Sequence, residues 1–148
     1  MTTEQLHREF LKSEGICTDT RKEVKGTLFF ALKGERFDGN RFVEEALAKG
    51  CRLAVTGDRE MSTRERVLYA PSPLGLLQEL AAFHRRYAGP AVMAITGSNG
   101  KTTTKDLVRR ILEHKFSVLA TRGNLNNHIG VPLTLLSLKR EEVAVVEM

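Results

Sequence analysis

Residues 95–104 read Ile-Thr-Gly-Ser-Asn-Gly-Lys-Thr-Thr-Thr, a run whose residue types suit the binding of phosphate. A tight turn through Gly97 and Gly100 lets the backbone N–H groups around Ser98 and Asn99 face phosphate oxygens that bulkier side chains would screen. Lys101 adds a mobile cation, and a helix opening there adds the positive end of its dipole. Thr102 offers the hydroxyl that a Mg²⁺ ion bridging two phosphates takes, and Thr103 continues the hydroxyl run. The standard pattern places a glycine five positions before the second one; position 95 is Ile, so the match is the shorter Gly-x-x-Gly-Lys-Thr. The alternative is a plain strand-to-helix turn with Lys101 as a solvated charge. The order strand, glycine turn, Lys-Thr, helix argues against it.

Three other clusters place polar side chains at the ends of expected strands, where open α/β sheets bind ligands. Asp19-Thr20-Arg21 follows the first strand, and residues 32–40, with Lys33, Gly34, Asp38 and Asn40, join a strand to a helix. Taken as residues alone these are surface turns, with Asp38 or Asn40 as a helix cap. The loop 121–130 carries Arg122, Asn124, Asn126, Asn127 and His128. It either contacts a sugar, phosphate or amide, or is an irregular connection whose Asn side chains satisfy their own backbone. Glu147 ends an apolar strand, where a carboxylate beside a phosphate loop is placed to be a second Mg²⁺ ligand; the alternative is a carboxylate merely exposed at a strand end.

The elements that position these groups follow from periodicity. A short helix over 4–13 stops at Gly15, and strands are expected at 16–18 and 27–32. A helix over 40–49 buries Phe42, Val43, Ala46 and Leu47, followed by strands at 52–56 and 67–70 and a helix over 74–87 entered through Pro71 and Pro73. Ala88-Gly89-Pro90 is the boundary candidate, dividing the chain into 1–88 and 89–148. A second α/β rhythm then runs through a strand at 91–95, the glycine loop and a helix in which Leu107, Val108, Ile111 and Leu112 face inward while Lys105, Asp106, Arg109, Arg110 and Glu113 face out. A strand at 117–121, treated as the second central strand, leads to a helix begun by Pro132 and a strand at 143–146. Such alternation implies α/β architecture: a small N-terminal α/β domain, then the start of a parallel-sheet domain. Three parallel strands make a poor complete sheet, so the second domain is expected to be truncated.

The 148 residues are 41% hydrophobic and 28% charged, which suits a globular chain with a real core. No apolar run of membrane-spanning length and no signal-peptide pattern is present, so the expected location is the cytoplasm. The net charge of +5 comes from basic residues interleaved with acids, which favours a polyanionic small molecule over nucleic acid. Cys17 and Cys51 fall in apolar segments, as buried free thiols do.

Three stretches together resemble the Mur ligases of bacterial cell-wall synthesis. They are Asp19-Thr20-Arg21 with residues 26–39, the run 95–104, and Gly-Asn-Leu-Asn-Asn-His-Ile-Gly-Val-Pro-Leu-Thr at 123–134. The resemblance implies an ATP-dependent amide-forming ligase of peptidoglycan precursor synthesis, of which this chain would be an N-terminal fragment, inactive by itself. The third stretch points within the family to the branch that joins D-alanyl-D-alanine to UDP-N-acetylmuramoyl-tripeptide through an acyl phosphate; a sibling adding a diamino acid fits it less well. A nucleotide-binding module without catalysis is the rival from another class. By the same resemblance Lys101 is catalytic, Gly97 to Thr103 hold ATP, and Thr102 with Glu147 hold Mg²⁺. Thr20, Arg21, Lys33, Gly34, Asp38 and Asn40 would face the uridine nucleotide, and Asn124, Asn126, Asn127 and His128 the muramoyl-peptide. A cytoplasmic monomer, binding neither nucleic acid nor membrane, is expected.

Overall fold

The computed structural model describes residues 1–34 and 37–148; Glu35 and Arg36, inside the 33–40 loop expected at the uridine site, lie outside the described residues. The described chain divides into two compact units, Met1–Leu80 and Ala81–Met148.

In the first unit, helix α1 (Thr3–Leu11) starts at a reciprocal cap: the Gln5 amide N–H donates to the Thr2 hydroxyl and the Thr2 N–H donates to the Gln5 side chain. Its inner face buries Leu6, His7 and Phe10. Strands β1 (Ile16–Cys17), β2 (Leu28–Phe30), β3 (Leu53–Thr56) and β4 (Val67–Tyr69) form one parallel sheet in chain order. The unbroken apolar run of β2 reflects a strand covered on both faces, all three of its residues being buried. The expected helix over 40–49 forms in two pieces, a tight 3-10 turn at Gly39–Phe42 and then α2 (Val43–Ala48). The Asp38 carboxylate accepts the Asn40 N–H at 3.0 Å and starts the turn. Val43 and Ala46 join Cys17, Val24, Phe29, Cys51 and Ala54 in the core, with Phe42 and Leu47 packed at its margin. Each fully buried large apolar side chain here stabilises the fold by about 1.5–3 kcal/mol. Both cysteines are free and buried, and burial raises the Cys51 thiol above its usual value.

Helix α3 (Pro73–Ala88) places Pro73 at the first helical position, where no N–H is needed, and Ser72 Oγ accepts the Gly75 N–H at 3.0 Å.

The second unit contains β5 (Ala91–Ile95), α4 (Lys101–Leu112), β6 (Val118–Ala120), α5 (Gly130–Leu135) and β7 (Val143–Glu147). Its parallel sheet has the order β5-β7-β6. The strand expected to be the second central one is therefore an edge strand, and the last strand, buried along its whole length, takes the centre. Leu119, Leu138, Ala144 and Val146 form the core, with Val131 and Leu135 against it.

Two expectations are corrected in this unit. α4 turns a different face inward: Leu107 and Ile111 are 60% and 62% exposed, whereas Lys105 is only 4% exposed. Lys105 is buried and Val108 and Leu112, three and seven residues further on along the same face, are half-buried, because a carboxylate at the end of β7 receives the Lys105 ammonium. α5 begins at Gly130, two residues before Pro132, because Asn127 Oδ1 accepts the N–H groups of Ile129 and Gly130 at 3.0 and 2.8 Å. Position 130 needs glycine, since a Cβ there would overlap the Leu125 backbone.

Candidate functional site

The glycine loop lies between the C-terminal end of β5 and the first turn of α4. Gly97 and Gly100 have φ of +146° and +76°, a region that disfavours any residue with a Cβ, and Gly100 is the N-cap of α4. The N–H groups of Lys101, Thr102 and Thr103 open the helix and have no acceptor within it. Lys101 Nζ folds back over the loop and donates to the Gly97 carbonyl at 2.7 Å. Backbone donors, a dipole end and an ammonium thus surround one loop, which is the chemistry an anion needs.

Beside the loop stands Glu147, 3% exposed at the tip of the central strand. It is no surface carboxylate: three groups from two elements converge on it. Asn126 Nδ2 donates to Oε1 at 3.0 Å, the Thr102 hydroxyl lies 3.2 Å from Oε2, and Lys105 Nζ lies 3.5 Å from Oε2. Its own N–H donates to Thr121 Oγ1 at 2.9 Å, which fixes the backbone. The Asn126 amide, opposed by burial and helped by Thr102 and Lys105, holds the Glu147 carboxyl below its usual range, so it is anionic at neutral pH. A cleft of ≈ 520 Å³ opens alongside, lined by Thr102, Lys105, Arg109, Thr121, Arg122 and Gly123 among others.

The 121–130 loop divides its polar side chains. Asn126 is directed to Glu147 and Asn127 caps α5, while Asn124 and His128 are exposed. Asn126 and Asn127, both expected at the muramoyl-peptide, thus make contacts inside the protein. Lys105 was missed by sequence reasoning altogether. The available signal was its spacing, one helical turn beyond Lys101 on the same face.

The first unit carries a separate cavity of ≈ 500 Å³, whose lining includes Thr20, Arg21, Lys22, Phe29, Phe37 and Phe42. Phe37 is 50% exposed and stacks on Phe42 with ring centroids 5.4 Å apart and an interplanar angle of 12°. Asp19 receives Arg21 through both oxygens, Nη2 at 2.7 Å and Nε at 2.9 Å, and this guanidinium holds the Asp19 carboxyl well below the usual carboxylate range. The Thr20 carbonyl accepts Lys49 Nζ at 2.7 Å.

Thr20 and Arg21 therefore reach the cavity together. Lys33, Gly34, Asp38 and Asn40 are not among its described lining residues. Lys33 and Asp38 instead pair as a short antiparallel bridge, with the Gly34 N–H donating to the Phe37 carbonyl at 2.8 Å beside it. Asn40 is a structural tie: its Oδ1 accepts the Thr56 hydroxyl at 2.7 Å and the Gly57 N–H at 3.1 Å, and its Nδ2 donates to Asp38 at 2.8 Å. Of the stacked pair, sequence reasoning assigned Phe42 to the buried face of a helix and gave Phe37 no role of its own.

Among the described residues no cluster of three or more His, Cys, Asp or Glu able to hold a metal occurs, and no helix is long and apolar enough to cross a membrane.

Residues 12–85 match the Mur ligase family, catalytic domain, and residues 95–148 match the Mur ligase middle domain. The UDP-N-acetylmuramoyl-tripeptide–D-alanyl-D-alanine ligase of Bacillus subtilis is 46% identical over 138 residues, which is 90% of this chain and 30% of the relative. A crystal structure of MurF from Acinetobacter baumannii superposes with a TM-score of 0.85 at 36% identity, covering 99% of this chain and 35% of that one. MurF ligase from Thermotoga maritima, solved in complex with ADP, gives a TM-score of 0.84 at 34% identity over 93% of this chain and 32% of its own. The chain thus spans about a third or less of the length of these relatives.

Proposed function

This chain belongs to the Mur ligase family, and from that premise we propose that it supplies the UDP-substrate site and the nucleotide-phosphate site of a MurF-type ligase. That enzyme joins D-alanyl-D-alanine to UDP-N-acetylmuramoyl-tripeptide at the expense of ATP. The observation that carries the reading is the convergence of the glycine loop, Lys101, Thr102 and an anionic Glu147 at the ends of β5 and β7.

In this reading the γ-phosphoryl group passes to the terminal carboxylate of the tripeptide. The amine of the dipeptide then attacks the acyl phosphate, and phosphate leaves. The protein's task is to hold and neutralise charge that moves between phosphates and carboxylate. The N–H groups from Ser98 to Thr103 cradle phosphate oxygens, and Lys101 leaves the Gly97 carbonyl to pair with the β- and γ-phosphates. Thr102 and Glu147 offer two hard oxygens 3.2 Å apart, a donor set that fits Mg²⁺ delivered with a nucleotide, since that ion takes one or two protein oxygens and the rest from phosphate and water. When bound, Mg²⁺ would supply positive charge that neutralises the phosphates during transfer. Asn126 orients Glu147 for this role, while Asn124 and His128 remain at the exposed edge of the loop for the peptide substrate.

We assign residues 1–88 to the uridine-linked substrate and 89–148 to ATP. The Phe37 and Phe42 stack offers a flat apolar surface for a uracil ring, and Arg21 and Lys22 offer positive charge at the same cavity for its diphosphate. Interleaved charge and the nucleotide-borne substrate favour a cytoplasmic monomer that binds neither nucleic acid nor membrane.

The test is ligation followed by phosphate release. Lys101→Ala in the ligating protein should lower kcat by about 100-fold or more with the affinity for UDP-N-acetylmuramoyl-tripeptide retained. A near-normal kcat would remove Lys101 and the glycine loop from the chemistry.

A further inference from the structure

The contact between Lys105 and Glu147 has no place in phosphate transfer as described above. Lys105 is 4% exposed, its ammonium stands 3.5 Å from Glu147 Oε2, and its other carboxylate neighbour is the half-exposed Asp106 at 3.8 Å. Taking an ammonium out of water is costly, and an apolar side chain at this inward position would avoid that cost. α4 instead exposes Leu107 and Ile111 while turning a lysine inward. The carboxylate it meets is the one that, together with Thr102, we assign to the metal, so the following argument rests on that reading.

The charges decide what this contact does. Glu147 is matched by a cation before any divalent ion arrives. A bare divalent cation approaching Thr102 and Glu147 meets a positive group 3.5 Å from its carboxylate ligand, and finds that ligand already neutralised. A divalent cation carried by a nucleoside diphosphate or triphosphate brings net negative charge, which Lys101 and Lys105 both attract. Oε1 is held separately by Asn126, so the carboxylate keeps its orientation whichever cation faces Oε2.

We propose that Lys105 is a positioning residue that makes the Glu147 site accept a divalent cation together with nucleotide phosphates and reject the bare ion. A role for Lys105 in packing alone would not discriminate between the bare and the nucleotide-borne ion.

Binding of Mn²⁺ to this chain, measured by electron paramagnetic resonance and calorimetry with and without ADP, tests the idea apart from turnover. Lys105→Met keeps the stem and removes the charge. It should tighten Mn²⁺ alone by about tenfold and weaken Mn²⁺ with ADP by about tenfold, two changes of opposite sign. Lys105→Arg keeps the charge and should stay near the parent in both. If Lys105→Met does not fold, Lys105→Gln takes its place with the same expected signs. Both affinities moving in one direction, or neither moving, would overturn the inference. Glu147→Gln separates the two readings: it should weaken Mn²⁺ binding with ADP. If it does not, the assignment of Glu147 to the metal fails and this proposal fails with it. If Glu147→Gln weakens binding while Lys105→Met changes nothing, only the proposal for Lys105 is lost.

Discussion

Asn40→Ala separates a structural residue from a ligand contact. Its Oδ1 accepts from the Thr56 hydroxyl and from the Gly57 N–H, and Thr56 is fully buried at 0% exposure. Removing that oxygen leaves two donors without their acceptor, each costing about 1–3 kcal/mol when water cannot replace the partner. Gly57 is partly exposed and regains water, and the Thr56 oxygen keeps the Asp58 N–H at 3.1 Å, so the loss is smaller than the sum. We expect about 2–3 kcal/mol, mostly from the stranded hydroxyl. Urea unfolding followed by amide signals of residues in Met1–Leu80 should show a lower midpoint at unchanged slope. Adding Thr56→Val removes the stranded donor, so the double variant should recover about 1 kcal/mol relative to the sum of the two single losses. A stability change under about 0.5 kcal/mol, accompanied by weaker binding of a uridine nucleotide, would refute the reasoning and return Asn40 to the substrate site.

Gly130→Ala should destabilise the Ala81–Met148 unit by about 3 kcal/mol or more in thermal unfolding, since the new Cβ falls on the Leu125 backbone, which cannot move aside as a side chain could. The Glu147 carboxyl is held below its ordinary value of 4.5 in the folded chain, so the unfolded chain binds the proton more tightly; the stability this contributes is fully present above that ordinary value and is lost as pH falls from there through the lower folded-state value. Acid titration of unfolding should accordingly show a shallower fall in stability for Glu147→Gln than for the parent. Phe37→Ala removes the exposed ring of the stack and should weaken UDP binding by about 5- to 100-fold in calorimetry, the range of one base-stacking contact, with the fold unchanged.

Local chemistry was legible in the sequence wherever one element explained itself. The glycine turn before Lys101, Pro73 at the start of α3 and the apolar run of β2 each announce their structure through backbone geometry or burial. What stayed hidden depends on pairing across sequence distance. That β7, the last strand, lies between β5 and β6 follows from sheet order, which no window of residues contains. For the same reason Lys105 was read as a surface charge: its neighbour Glu147 is 42 positions away, and helical periodicity alone assigns a lysine to water. The resemblance places Asn126 and Asn40 at the substrate, and the structure adds contacts that no window of residues contains, to Glu147 and Thr56. The family resemblance, read from three stretches, agrees with the matches over 12–85 and 95–148.

The most direct test of the central claim is a titration of the isotopically labelled chain with Mg·ADP, followed through the backbone amides. The account predicts saturable shifts concentrated at residues 97–103, with Asn126 and Glu147 responding because they frame the same phosphates, and loss of the whole set in Lys101→Ala. Shifts confined to Met1–Leu80, or an undiminished response in Lys101→Ala, would contradict it.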